Sequence, residues 1–177
     1  MYKRHSEAFI EEAKKNPALQ HATRVLNYGD CSVRYLREKL KNKGFSEEEI
    51  ADALEAVLAA DLIHEQAQAQ RLAEYLCNTM WYGKRRIEQT LLQKGYPMDV
   101  IRSVDYSEAD FFTACYRRME RSFPREIAAL RTGELVGIGG KRVRKSPKEK
   151  IVQACLRYGF SYGEALDALE AVLQEKE

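Results

Sequence analysis

The chain has 177 residues, 32% of them charged, and its 29 Lys and Arg stand against 27 Asp and Glu for a net charge of +2. That length allows one or two ordinary domains with a sizeable core, and the balanced charge excludes a bulk polyanion binder, so nucleic-acid contact must come from local basic patches. Charges break every apolar run short of a membrane span and Met1 to Glu7 lack the apolar core of a signal peptide, so a cytoplasmic protein without membrane contact is expected.

Residues 6–28 carry a helical pattern divided by Pro17. Ala8, Phe9 and Ile10 belong to an N-terminal extension, 1–17, and Ala18, Ala22, Val25 and Leu26 form the apolar stripe of the next helix. Tyr28-Gly29-Asp30 is a stop, and Ser32 is placed to cap a helix 33–43 that turns Val33, Leu36 and Leu40 inward and ends at Gly44. Ser46 to Glu49 spell a capping box, after which Ile50, Ala53, Leu54, Val57 and Leu58 follow helical spacing. These three helices make a first unit, 18–64.

A second unit, 65–105, opens with the stripe Leu72, Ala73, Leu76 and Met80 and is broken at Trp81-Tyr82-Gly83. It continues as a helix 84–94 closed by Gly95-Tyr96-Pro97, and ends in a shorter helix with Val100, Ile101 and Val104. A third unit, 106–177, starts its first helix at Ser107 to Asp110, with Phe111, Phe112, Cys115, Tyr116 and Met119 as core candidates. An insertion, 122–145, follows. It holds a short helical piece around Ile127 and Leu130 and then a surface loop with glycines and a basic run. Ser146-Pro147-Lys148-Glu149 is a second capping box, and Ser161 to Glu164 open the last helix.

The three units repeat one theme. Ile87, Leu91, Gly95 and Tyr96 align with Leu36, Leu40, Gly44 and Phe45 at a shift of 51 positions, and Ile151, Cys155, Gly159 and Phe160 align with that first set at a shift of 115. Asp52 to Leu58 and Asp167 to Leu173 are identical in all seven residues. The expected fold is all-α: a tandem array of three three-helix repeats, elongated and curved, with a glycine-rich basic insertion in the third.

No nucleophile with a base, zinc pattern or P-loop is present, and Gly137-Ile138-Gly139-Gly140 lacks both the strand and the lysine-serine spacing of a phosphate loop. Cys31, Cys77, Cys115 and Cys155 never form a C-x-x-C pair and read as reduced, buried small hydrophobes; His5, His21 and His64 are scattered. No catalytic residue, metal or cofactor is therefore expected. The tyrosines Tyr28, Tyr35, Tyr96, Tyr116, Tyr158 and Tyr162 read as inter-helix packing.

Basic residues are the stronger signal. Arg34, Arg37 and Lys41 form a stripe at i, i+3 and i+7; Lys84, Arg85 and Arg86 head the middle helix beside Trp81 and Tyr82; Lys141, Arg142, Arg144, Lys145 and Lys148 cluster before the third unit's middle helix. Such charges either solvate a face or make a positive edge that follows a phosphate backbone or an acidic protein groove. Trp81 and Tyr82 either pack a hinge or stack on unpaired bases.

Tyr82 to Gln89 with Leu91, Lys94 and Gly95 resembles the middle repeat of the RecX regulatory proteins. Ser32, Leu36, Lys39, Leu40, Lys43, Gly44, Phe45 and Ser46 with Ile50 and Leu54 are similar to their first repeat, and Leu156 to Ser161 to their last. The resemblance covers about residues 18–175. The family's paired aspartates are here His64-Glu65, and its following Arg-Phe is Ala67-Gln68. The resemblance implies a monomeric, non-enzymatic modulator that lies in the groove of the RecA–DNA filament, contacts single- or double-stranded DNA weakly, and inhibits RecA. Two other readings stay open: a helix-turn-helix-like DNA-binding or transcriptional module acting without RecA, and a structural adaptor that docks partners on apolar patches.

Overall fold

A computed structural model of the chain describes residues 7–133 and 146–174, and among them the backbone is helical, with no strand. In chain order the helices are α1 (Glu7–Lys15), α2 (Pro17–Tyr28), α3 (Val33–Lys43), α4 (Glu47–Ala59), α5 (Glu65–Asn78), α6 (Lys84–Gln93), α7 (Met98–Arg102), α8 (Phe111–Ser122), α9 (Pro124–Thr132), α10 (Pro147–Arg157) and α11 (Tyr162–Gln174). They form two compact units. One runs up to Arg71 and includes Leu91–Val104; the other comprises Leu72–Thr90 and the chain from Asp105 onward.

In the first unit α2 packs on α4, with α1 and α3 against them. Leu19, Leu36, Leu40, Ile50 and Val57 are fully buried, each contributing roughly 1.5–3 kcal/mol by leaving water. Helix starts follow the expected chemistry. Asn16 accepts from Leu19 N, Ser32 from Tyr35 N, and Ser46 from Glu49 N, while the Glu49 carboxylate accepts the Ser46 N–H. Ser32 also donates its hydroxyl to the Lys94 carbonyl at 2.8 Å, so the start of α3 sits on the end of α6. Gly95 lies at that joint with φ +85°, and a Cβ there would stand 2.7 Å from the Ser32 hydroxyl. Glu65 completes the joint by accepting the Val33 N–H at 2.9 Å. Tyr96 is buried beside it, and that burial, with help from Asp30, Cys31 and Glu65, pushes its phenol up to about 12.

In the second unit α8 and α11 pack against each other, with α9 and α10 completing the bundle around Cys115, Met119, Ile151, Cys155, Phe160, Leu169 and Val172. Ser146 and Glu149 form the expected capping box, and Ser161 and Glu164 exchange the same pair of bonds. Part of the stretch read as an insertion folds in: α9 buries Ile127 and Ala129, and Arg131 donates to the Val172 carbonyl at 2.5 Å. Glu126 pairs with Lys150. The glycine-rich basic run, with Lys141, Arg142, Arg144 and Lys145, lies outside the described residues.

Several expectations need correction. Leu58 and Phe112 are 49% and 45% exposed, and Met80 is exposed beyond the end of α5. Eight residues after Ile50 a helical stripe has turned about 80°, which carries Leu58 to the rim; Phe111, against the Tyr106 ring, takes the inward place beside Phe112. Helix α8 is capped by Asp110 rather than Ser107, because the Asp105 carboxylate takes the Ser107 N–H and hydroxyl, closing a turn there. Tyr28, Tyr35 and Tyr162 are exposed rather than packed between helices, whereas Tyr96 is buried.

Candidate functional site

The second unit holds a surface built on two glycines. Gly83 donates its N–H to the Tyr158 carbonyl at 2.9 Å, and Arg85 N donates to the Gly159 carbonyl at 3.2 Å, so free N–H groups at the start of α6 meet free carbonyls at the end of α10. The approach tolerates no side chain: a Cβ on Gly83 would lie 2.3 Å from the Gly159 carbonyl carbon. This contact brings Tyr82 and Tyr158 into a stacked pair, ring centroids 6.3 Å apart at 27°.

Helix α8 supplies the cations that cover the rings. Arg118 lies 4.2 Å from the Tyr158 ring centroid and 5.8 Å from those of Tyr82 and Trp81, and it donates to the Met80 carbonyl. Its Nε is buried without an acceptor. Arg121, nearly one turn on, sits 5.5 Å from the Trp81 ring, and Arg86 sits 5.8 Å from that of Tyr82. Each interaction of this kind contributes on the order of 1 kcal/mol. Lys84 stands over Tyr106 at 5.1 Å, and burial pushes the Tyr106 phenol up to about 12.

Of the residues singled out in the sequence, Trp81, Tyr82, Lys84 and Arg86 share this surface, and Arg85 is exposed with no carboxylate within ion-pair distance among the described residues. Arg118, Arg121 and Tyr158 were missed as members. The available signal was the pairing of Arg117-Arg118 with Arg121 on one helix, which spacing alone does not connect to Trp81. In the first unit Arg34 pairs with Glu38 at 3.1 Å, while Arg37 and Lys41 both reach Glu47, at 2.9 and 3.0 Å. The hydrogen bond from Lys41, then its charge and that of Arg37, hold the Glu47 carboxyl below its ordinary value. That stripe therefore carries its own counter-charges. Lys148 is exposed at the start of α10.

Residues 81–89 and 116–125 together hold seven Lys and Arg against Glu88 and Glu120, in a chain whose net charge is +2. Arg117 and Arg125 act on the Asp110 and Glu126 carboxyls, while Lys84, Arg86, Arg118 and Arg121 lie against rings, an arrangement able to bind anions and to stack planar groups. The described residues contain no group of three His, Cys, Asp or Glu able to hold a metal ion, and no helix long and apolar enough to cross a membrane. All four cysteines are buried as free thiols; burial, with Asp30 and Glu65 nearby, pushes Cys31 up to about 11, which disfavours a nucleophilic thiolate.

The described residues define an all-helical fold with a cation- and aromatic-rich surface. Residues 18–55 match the family model described as RecX, first three-helix domain. The chain is 34% identical over 96 residues to regulatory protein RecX of Caldanaerobacter subterraneus, a match covering 54% of this chain and 48% of that protein. It is 29% identical over 157 residues to regulatory protein RecX of Haemophilus influenzae, covering 86% and 92% of the two chains. The chain thus spans about half the length of the first relative and nearly all of the second. A crystal structure of RecX from Lactobacillus salivarius shares the fold with a TM-score of 0.68 at 19% identity, over 92% of this chain and 97% of that one. The family model, the relatives and the solved structure that this chain is similar to are all RecX proteins.

Proposed function

We propose that this protein is a non-enzymatic regulator of the RecA recombinase. It binds the RecA–DNA filament and inhibits RecA's recombinase, ATPase and coprotease activities in DNA repair and the SOS response, acting as a cytoplasmic monomer. The observation that carries the reading is the match to proteins named regulatory protein RecX, which in Haemophilus influenzae extends over 86% of this chain. In this reading residues 18–64, 65–105 and 106–177 are three repeats after an extension of 1–17. Lys84, Arg85 and Arg86 make the leading contact with the filament. Arg34, Arg37 and Lys41 contribute less, because their carboxylate partners must be given up, and Lys141, Arg142, Arg144, Lys145 and Lys148 are further candidate contacts.

The test is RecA-catalysed, single-stranded-DNA-dependent ATP hydrolysis with this protein titrated below one copy per RecA. Inhibition is expected, and it should be lost when Lys84, Arg85 and Arg86 are all changed to glutamate while the helical circular dichroism is retained. No inhibition at equimolar protein sinks the regulator reading. Unchanged inhibition by the triple variant moves the contact away from the start of α6.

A further inference from the structure

We propose that Trp81, packed against Arg118 and Arg121 of one helix, is a stacking platform for the unpaired bases of a single-stranded nucleic acid, whose phosphates are met by Arg85 and Arg117. This deepens the DNA side of the filament reading by assigning the strand a site, and it rests on that reading only in so far as the surface faces a polyanion.

Four observations converge. Trp81 adopts φ +48°, a left-handed conformation unusual for a bulky residue. The conformation is fixed by its neighbours, as Tyr82 N donates to the Leu76 carbonyl and Gly83 N to the Tyr158 carbonyl. Strain held in this way at an aromatic residue marks a side chain whose direction matters. Second, Trp81 is half-buried and two guanidinium groups lie against its ring, at 5.5 and 5.8 Å. Third, Arg118 holds the Met80 carbonyl and three rings, yet it has no carboxylate, and its buried Nε lacks an acceptor. Fourth, Arg85 and Arg117 are exposed and make no ion pair among the described residues, the charge of Arg117 reaching only far enough to lower the Asp110 carboxyl.

An acidic protein partner would satisfy the arginines and leave the ring without a role. A duplex would satisfy them too, but its bases are already stacked on one another. A single strand offers both complements, a phosphate for each exposed cation and a free π-face for the indole, and it is read without sequence preference because every base has such a face. Arg118 and Arg121 act as positioning residues, holding the indole; Trp81 itself touches the base.

Trp81 is the only tryptophan of the chain, so intrinsic fluorescence reports on this site alone. Without RecA, the whole protein is titrated with a short oligothymidylate, an abasic sugar–phosphate strand of equal length, a duplex, and polyglutamate. The oligothymidylate is expected to quench the fluorescence and to bind more tightly than the abasic strand. Trp81→Ala should weaken oligothymidylate binding roughly 5- to 100-fold, measured by anisotropy of a labelled strand, and leave the abasic strand unaffected. Trp81→Phe, which keeps a ring, should restore most of the loss and so separates stacking from misfolding. Equal affinity for the thymidylate and abasic strands, or equal loss with Phe and Ala, overturns the proposal. Quenching by polyglutamate but not by the oligonucleotide assigns the surface to an acidic protein and also overturns it. Because RecA is absent, failure here leaves ATPase inhibition standing, and failure of inhibition leaves strand binding standing.

Discussion

Gly83 and Gly159 show how a single missing side chain can position a site. A methyl group on Gly83 would press into the backbone of Gly159 and Phe160 at 2.3 Å, and backbone cannot rotate away as a side-chain tip can. Gly83→Ala should therefore destabilise the second unit by about 3 kcal/mol and separate the Tyr82–Tyr158 pair, measured by urea unfolding and by the Trp81 emission maximum. Gly163→Ala is the control: its Cβ would enter open space within α11, and a small gain is expected. Gln68 poses the opposite case. It is buried at a position where the family resemblance leads one to expect phenylalanine, and its Oε1 has no partner. Gln68→Met keeps the volume and removes the orphaned oxygen, so a gain of about 1 kcal/mol is expected in the same unfolding assay.

At the scale of elements, caps were the most legible feature and also the source of one error. Ser46, Ser146 and Ser161 each stand three residues before a glutamate and a helical apolar pattern, which fixes the helix start on chemical grounds alone. At Ser107-Glu108-Ala109-Asp110 two residues can cap, and only the fold shows that Asp105 consumes Ser107 and leaves α8 to Asp110. The bond from Thr113, hydroxyl before backbone in its effect, holds the Asp110 carboxyl below its ordinary value. A lowered native pKa means that the stabilisation is complete above the unfolded-state value near 4 and is lost as pH falls through the native one. Asp110→Ala should cost about 1 kcal/mol at neutral pH and little in strong acid. Asp110→Asn should keep most of the cap and remove its share of the acid dependence. Unfolding measured from neutral pH down to about 3 distinguishes the two.

At the scale of the whole molecule, the repeat was legible because each unit reuses the same buried positions. Within Asp52–Leu58 and Asp167–Leu173 the alanine, leucine and valine at the second, third and sixth places are buried in both copies. The cation- and aromatic-rich surface was legible only in part. Its α6 half shows as a basic head beside two aromatics, but Arg118, Arg121 and Tyr158 join it through the packing of α8 and the end of α10, which no local period encodes. Composition pointed away from nucleic acid with a net charge of +2, and the reason is segregation: seven cations and two acids lie in residues 81–89 and 116–125. If binding to a single strand depends on counterions released at that surface, net charge should matter little and local charge a great deal. Glu48→Gln with Glu55→Gln, both exposed on α4, raises the net charge by two and should leave oligothymidylate affinity nearly unchanged, because neither residue belongs to the cluster around Trp81. Arg85→Ala with Arg117→Ala lowers it by two and should reduce the slope of log K against log salt by about 1.4, or about 0.7 for each phosphate no longer neutralised. Titrations at several salt concentrations measure both, and equal shifts from the two double variants would show that overall charge, rather than this surface, governs binding.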